Sequence, residues 1–239
     1  MKDKILSVVI PCLNNYNFTK SALNDLLKLP DDHEIIIIDN GSNDATQSLK
    51  DSKEIIYHRE DMNRGFGKAV NIGAMLSSAP NILFLNNDVR VKNNYNNWTK
   101  PLIEKCPDAI VGPTMGQLDD NFNFIREANQ VLPGKSYMSG WCIASSKEIW
   151  NKLETPRKTP LFLVNGMNVP QIFSDELYFC YFEDTDLSFR ARELGIKFEV
   201  VDISVVHFGK QTSKQLNTYQ LYKTAREVFI KKWKHNIKK

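Results

Sequence analysis

Along its first ninety positions the chain alternates between two hydrophobic periods. Ile5–Ile10, Glu34–Ile38, Ile55–His58 and Ile82–Leu85 are short, nearly continuous apolar runs, the pattern of strands buried on both faces. Between them Ser21–Leu29, with Ala22, Leu23, Leu26 and Leu27 on one side, and Gly67–Leu76 repeat at helical spacing, and Asp44–Leu49 reads as a shorter helix. Such strands separated by helices predict an α/β fold, a mostly parallel sheet flanked by helices on both faces. Ligands of these sheets bind outside the carboxyl ends of the strands, so the residues following each strand carry the first functional information.

Those residues are Pro11-Cys-Leu-Asn-Asn15, Asp39-Asn-Gly-Ser-Asn-Asp44 and Asn86-Asn-Asp88. An Asn-Gly turn with Ser42 or Asn43 as a helix N-cap accounts for most of the second loop. It does not account for Asp39, whose carboxylate can accept hydrogen bonds from a base or ribose. Asn63-Arg-Gly-Phe-Gly-Lys-Ala-Val-Asn-Ile-Gly73 is a glycine-containing loop entering a helix, where backbone amides meet phosphates, and Arg64 and Lys68 add positive charge. Neither a G-x-G-x-x-G after the first strand nor a G-x-x-x-x-G-K-[ST] is present, which disfavours a dinucleotide or P-loop site.

Asn86 and Asp88 are two apart and share a side in extended chain. One carboxylate with an amide oxygen suits Mg²⁺ or Mn²⁺ held jointly with a diphosphate. His207 closes the β-rich run Val200–Val206 and offers an imidazole, which fits Mn²⁺ better than Mg²⁺. The plainer readings are a polar turn and a structural histidine.

Later in the chain Glu183 and Asp184 follow Tyr178, Phe179, Tyr181 and Phe182, and Leu187, Ala191 and Leu194 then recur at helical spacing. Carboxylates beside apolar surface in a first helical turn gain basicity from desolvation, the condition of a general base. Helix capping by Glu183, Asp184 and Asp186 is the competing explanation.

Composition narrows the class. The 239 residues are 42% apolar, enough for one sizeable domain, and no linker, repeat or low-complexity tract divides them, although 113–135 is more polar than its flanks. Cys12, Cys106, Cys142 and Cys180 form no C-x-x-C pair, so reduced thiols are expected. The apolar run before Pro11 is too short for a signal peptide or membrane span, and a soluble cytoplasmic protein is expected. Five lysines lie in the last nine residues, and removing them from the net charge of +3 leaves −2, so the basicity belongs to the tail. Leu221, Ala225, Phe229 and Trp233 recur every four residues before it, predicting an amphipathic helix packed on the body, with peripheral contact to an anionic membrane as the alternative. Nucleic acid is disfavoured because no basic stripe with interleaved aromatics occurs elsewhere.

In order and spacing, Ser7-Val-Val-Ile-Pro-Cys-Leu-Asn14, Ile38-Asp-Asn-Gly-Ser-Asn-Asp-Ala-Thr46, the Asn63 to Gly73 loop, Leu83-Phe-Leu-Asn-Asn-Asp-Val89, Gly140-Trp-Cys-Ile-Ala144, Asp175-Glu and Tyr181-Phe-Glu-Asp-Thr-Asp-Leu187 resemble the family 2 glycosyltransferases, inverting enzymes of the Rossmann-like GT-A fold. The match covers about residues 5 to 210. The resemblance implies a single domain with a nucleotide-sugar half (1–112), an acceptor and catalytic half (113–210), and a C-terminal helix with basic tail (211–239). It implies that Pro11 and Asn14 line a base pocket and that Asp39 contacts the base, with Asn40 and Ser42 beside it. Asn63, Arg64, Gly65 and Asn71 would close over the nucleotide, and Asn86 would lie nearer the ribose. Asp88 stands where the family has its D-x-D metal ligand, and Val206-His-Phe-Gly209 resembles the late segment whose histidine completes the metal shell. Asn86 departs from D-x-D and lowers the charge of that site.

The implied reaction takes a hexosyl or deoxyhexosyl group from a nucleoside diphosphate, uridine first and thymidine or guanosine next, to a glycan or lipid-linked acceptor, as in polysaccharide biosynthesis. Asp184 would be the base, with Glu183 as the alternative, and Mn²⁺ or Mg²⁺ the cofactor. Gly140, Trp141, Asp175 and Glu176 would contact acceptor or sugar, with Tyr137 a further stacking face. A nucleotidyltransferase would carry a Lys/Arg-rich loop after the first strand, where this chain has Pro11-Cys-Leu-Asn-Asn15. A non-catalytic sugar- or nucleotide-binding module would have no use for Glu183 and Asp184 beside apolar surface.

Overall fold

The computed structural model describes residues 3–30, 32–92, 97–158, 162–209 and 218–234. The apolar runs form β1 (Leu6–Cys12), β2 (His33–Asp39), β3 (Ile56–Arg59) and β4 (Asn81–Leu85), joined by α1 (Tyr16–Leu26), a 3-10 helix at Ala45–Asp51 and α2 (Phe66–Leu76). A short β5 (Val89–Val91) and α3 (Lys100–Lys105) lead to β6 (Ala109–Gly112). The more polar stretch that follows makes a small antiparallel sheet of β7 (Met115–Leu118), β8 (Phe124–Ala128) and β9 (Ser136–Met138). The chain continues through β10 (Cys142–Ser146), α4 (Lys147–Lys152), the hairpin β11 (Leu163–Val164) and β12 (Met167–Asn168), α5 (Glu183–Glu193), β13 (Lys197–Val200), β14 (Val205–His207) and α6 (Thr218–Trp233).

The main sheet has seven strands in the order β13-β6-β10-β4-β1-β2-β3. Its neighbours are parallel except where β10 inserts antiparallel between β4 and β6. Alternation along the strands divides the core. Leu6, Val8, Ile10, Ile35 and Ile37 face α1 and α3, whereas Val9, Ile36, Ile38 and Phe84 face α2, Trp150 of α4, and Leu187 and Ala191 of α5. Helices thus cover both faces, as the apolar runs require.

Several boundaries differ from those the sequence predicts. The first helix begins at Tyr16, not Ser21, because Asn14 and Asn15 turn the chain at positive φ and the Asp44 carboxylate accepts the Tyr16 N–H at 2.8 Å. The N-cap of the 3-10 helix is Asp44, whose Oδ1 accepts the Thr46 N–H, in place of Ser42 or Asn43. Val200–Val206 is no continuous strand; it breaks into β13, which pairs with β6, and β14, which pairs with β5. Asn86 to Asp88 form a turn and do not continue β4.

The predicted C-terminal helix packs on the body. Ala225, Phe229 and Trp233 are buried against Leu118, Phe122, Tyr178 and Phe182, with Phe229 5.1 Å from both the Phe182 and Phe189 rings. Beneath these rings lies Asp186 of α5, fully buried. Its carboxylate accepts from Ser174 Oγ (2.8 Å), Tyr178 Oη (3.3 Å), Arg190 Nε (3.0 Å) and Trp233 Nε1 (2.8 Å), and lies 2.6 Å from Lys232 Nζ. Residues 235–239 of the basic tail lie outside the described residues, and among the described ones no helix is long and apolar enough to cross a membrane.

Burial opposes ionisation of Asp186, but the charges of Arg190 and Lys232 and the hydrogen bonds prevail and hold its pKa below the usual carboxylate range. Its stabilising effect is therefore complete above the unfolded pKa of about 3.9 and fades as pH falls through the lower folded value. Asp186→Asn, which strands Arg190 and Lys232, should cost about 3–5 kcal/mol at pH 7 by urea denaturation, with the gap from the parent narrowing below about pH 4. A gap of equal size at both pH values would show that the charge of Asp186 is not what stabilises.

Candidate active site

The parallel strands β1, β2 and β4 end on one side of the sheet, and there a cleft of about 390 Å³ opens. Pro11 to Leu13, Asn40, Asn63, Gly65, Phe66 and the Asn86 to Asp88 turn line one part of it. Glu127, Tyr137, Ser139 to Trp141, Phe179 to Thr185 and Tyr222 line the rest. Pro11, Asn40, Asn63, Gly65, Asn86, Asp88, Gly140, Trp141, Glu183 and Asp184 are thus brought to one cavity from six separate stretches of chain.

The acids owe their place to an unusual backbone. Tyr181 and Phe182 both have positive φ, 72° and 65°, immediately before α5. Two bulky residues in that region cost energy that packing must offset, and Phe182 is held by the rings of Phe229 and Tyr222. The turn delivers Glu183 and Asp184 into the first turn of α5, both at the cleft wall. Asp184 Oδ2 accepts the Gly140 N–H at 2.9 Å, and Oδ1 accepts the Thr185 N–H at 2.7 Å. Burial raises the pKa of Asp184 against these hydrogen bonds. Glu183 is raised by burial and then by the charge of Asp184, and its buried Oε2 has no hydrogen-bond partner. Gly140 admits this contact because a Cβ there would lie 2.9 Å from the Asp184 Cβ.

Asp88 and His207 meet because β14 pairs with β5 in the register His207 to Val89, and the Phe208 N–H bonds the Asp88 carbonyl at 3.0 Å. His207 Nε2 lies 3.1 Å from Asp88 Oδ1 without forming a hydrogen bond to it, and that buried oxygen accepts none. The imidazole stacks on Trp141, ring centroids 4.7 Å apart and planes within 11°. A buried carboxylate oxygen with no donor, facing an imidazole nitrogen, fits a divalent cation of the Mn²⁺ type. Among the described residues no group of three His, Cys, Asp or Glu side chains could hold a metal, so further ligands would come from a phosphate or water.

Other predicted site residues brace the cleft from behind. Asp39 is fully buried, and its carboxylate is taken by the Ser42 N–H, the Tyr57 hydroxyl at 2.6 Å and Arg59. Asn14 and Ser42 clamp the first two loops, with the Asn14 N–H on Ser42 Oγ at 2.8 Å and the Asn43 N–H on Asn14 Oδ1 at 2.7 Å. Asn40 supports the third loop, donating to Asn63 Oδ1 and the Gly65 carbonyl and accepting the Arg64 N–H, while the Arg64 side chain pairs with Glu60. Asn71 is buried and brackets Phe173, accepting its N–H at 3.0 Å and donating to its carbonyl at 2.9 Å. Asp175 is held by Arg157 at 2.8 and 2.9 Å, and Glu176 accepts the Lys158 N–H; neither lines the cleft. The reason is common to all of these: short polar side chains at strand ends satisfy neighbouring backbone groups before they can face a ligand.

Glu127 of β8 and Tyr222 of α6 line the cleft without any local signal, since each arrives from a distant element. Gly65 is required where it stands, with φ +91° and a would-be Cβ 2.5 Å from the Phe179 carbonyl.

Comparison with known proteins follows the same lines. The sequence model of the family described as Glycosyl transferase family 2 matches residues 7–160. Validoxylamine A glucosyltransferase of Streptomyces hygroscopicus subsp. limoneus is 35% identical over 99 residues, 38% of this chain and 22% of that protein, so the match spans about a fifth of that relative's length. A glycosyltransferase of Rickettsia prowazekii, RP339, of undetermined activity, is 24% identical over 95% of this chain and 72% of its own. In structure, mannosyltransferase PcManGT from Pyrobaculum calidifontis, solved with GDP-Man and Mn²⁺, superposes with TM-score 0.56 at 14% identity over 84% of this chain and 55% of its own. S. aureus TarS residues 1–349 with UDP gives 0.56 at 15% identity over 96% and 72%. These likenesses establish a GT-A fold.

Asn40→Ala should loosen the third loop without disturbing the sheet. Each lost hydrogen bond is worth about 1 kcal/mol, so amide exchange at Arg64 and Gly65 should accelerate roughly tenfold, with β1 and β2 amides unchanged. Unaltered exchange at Arg64 would show that the loop does not depend on Asn40.

Proposed function

The chain belongs to glycosyl transferase family 2, and from that premise we propose that it moves a sugar from a nucleoside diphosphate to a hydroxyl of a glycan or lipid-linked acceptor with inversion at the anomeric carbon. One observation carries the reading: Asp184 is a half-buried carboxylate at the cleft wall, oriented by the Gly140 N–H and raised in pKa by desolvation. The hydrogen bonds from Gly140 and Thr185 favour the anion on Asp184, and that charge favours the proton on Glu183. Asp184 is then the base and Glu183 its neutral neighbour. Asp184 takes the acceptor proton as the hydroxyl oxygen bonds to the anomeric carbon, and the bond from that carbon to the leaving diphosphate breaks on the opposite face. A single displacement inverts the centre.

For the donor, Pro11, Asn40, Asn63, Gly65 and Asn86 line the nucleotide end, while Asn14, Asp39, Ser42, Arg64 and Asn71 hold that wall in place. A uridine diphosphate sugar is the first choice, with thymidine and guanosine diphosphates next. Support comes from relatives of this fold that bind UDP and GDP-Man. Asp88 and His207 would hold Mn²⁺, as in the PcManGT complex, or Mg²⁺, and the cation would offset charge on the leaving diphosphate. Exposed Lys223, Lys231 and Lys234, with the tail beyond, suit peripheral contact with an anionic membrane from the cytoplasmic side.

A thermal-shift panel of uridine, thymidine and guanosine diphosphates with and without Mn²⁺ tests the donor site. One base should stabilise the protein in a Mn²⁺-dependent manner, by about 2.7 kcal/mol at a hundredfold excess over Kd, and Asp88→Asn should remove the Mn²⁺ dependence. Asp184→Asn should lower transfer by about 10²- to 10⁴-fold while leaving nucleotide affinity within about twofold; equal loss of both would refute the base assignment. Because the Asp184 pKa is raised, transfer by the parent should fall with acid at a midpoint above the ordinary carboxylate value of about 4. A midpoint at or below that value would contradict a base raised by desolvation.

A further inference from the structure

Away from the donor end the cleft changes character. Its wall there comes from the small sheet, the first turn of α5 and α6, through Glu127, Tyr137, Glu183 and Tyr222, with Phe124 and Phe179 exposed beside them. Glu127, Glu183 and Asp184 line the cleft together with Tyr137, whose hydroxyl pKa is driven upward by burial and then by the charges of Asp184 and Glu127. Among the described residues that line the cleft there is no lysine or arginine. Proton removal uses one carboxylate, so two remain to be explained.

Glu183 is only 7% exposed, and its Oε2 is buried without a hydrogen-bond partner, a costly arrangement for a residue with a purely structural part. Glu127 is exposed to the cleft, and Ser139 Oγ (2.6 Å) and Thr114 Oγ1 (3.3 Å) both donate to its Oε1. That fixes the carboxylate and leaves Oε2 without a protein donor among the described residues. Two oriented carboxylates with spare acceptor capacity, next to aromatic rings, match a group that has several N–H donors and a positive charge.

We propose that the acceptor of this chain carries a protonated amine, as an amino sugar does, and that its ammonium group is seated between Glu183 and Glu127 beside the Tyr137 ring; the proposal rests on the transferase reading above. The ammonium supplies the donor that Glu183 Oε2 lacks, and its charge favours ionisation of Glu183, which burial and the charge of Asp184 otherwise keep protonated. A phosphorylated or otherwise anionic acceptor would instead meet the charges of Asp184 and Glu127 on the same cleft wall, a mismatch that selects against it.

The test is a calorimetric titration of the full chain, with and without UDP and Mn²⁺, against glucosamine, galactosamine and mannosamine, their neutral parent hexoses, N-acetylglucosamine and glucose 6-phosphate. At least one amino sugar should bind about tenfold or more tightly than its neutral parent, and N-acetylation, which removes the charge, should abolish the preference. Glu127→Gln and Glu183→Gln should each bring the ratio toward one with UDP affinity unchanged. Glu127 lies on an exposed strand, so its variant remains informative if Glu183→Gln fails to fold. No preference for any amine, including no binding by any sugar, overturns the proposal, as do tighter binding of glucose 6-phosphate or a preference that survives in Glu127→Gln. Failure of every nucleotide to bind would strike at the transferase reading instead, and the titrations without nucleotide keep the two results separate.

Discussion

The buried carboxylate of Asp186 is the interaction on which the acidic end of the cleft depends. It lies two residues after Asp184 on the same helix and gathers donors from the segment before α5, from α5 itself and from α6. A charge this deep is tolerable only when fully paired, so the donors are not interchangeable ornaments of a stable helix. They set how α5 and α6 sit against each other. From that follow the packing of Phe182 on Phe229, the strained turn at Tyr181 and Phe182, and the direction in which Asp184 enters the cleft.

The opposite end obeys a different constraint. There the strand ends are held by short polar side chains that bond to neighbouring loops: Asn14 to the second loop, Asn40 to the third, and Asn71 across to Phe173. Little of that chemistry is free to face a ligand directly. What the cleft receives is a preset surface, with the Asn86 to Asp88 turn and His207 joined by a two-stranded ribbon. Rigid bracing at one end and an aromatic, acidic wall at the other are what a two-substrate site needs, since both reactants must be aligned before bonds change.

Much of this was legible in the sequence, for definite reasons. Continuous apolar runs fix β1, β2 and β4 because strands buried on both faces tolerate little else, and acids after an aromatic stretch mark Glu183 and Asp184 because that setting is rare on a surface. Asp88 and His207 were both visible as candidates, although their meeting depends on the pairing of β5 with β14, which no local pattern reports. That Tyr57 and Arg59, from the next strand, hold the oxygens of Asp39 is not visible in the sequence, because it depends on the pairing of β2 with β3. Asn71, Asp175 and Glu176 enter the candidate list through the family resemblance, and the partners that hold them, Phe173 for Asn71, Arg157 for Asp175 and Lys158 for Glu176, leave no local pattern in the sequence. Glu127 and Tyr222 were invisible because they reach the cleft only through tertiary packing. Similarly, the break in Val200–Val206 reflects two sheets competing for one apolar run, which periodicity cannot foresee.

The order in which the chain is synthesised gives the α6 contact a temporal meaning. Lys232 and Trp233, which complete the shell around Asp186, emerge from the ribosome well after strands β1 to β4 have been made. Until they arrive Asp186 lacks two of its donors, and until Tyr222 and Phe229 arrive Phe182 lacks the rings that hold its strained conformation. The contacts that fix the start of α5 are thus the last to become available to a growing chain. The last turn of α6 thereby bears on the geometry of the cleft wall through a buried charge 47 positions earlier in the chain.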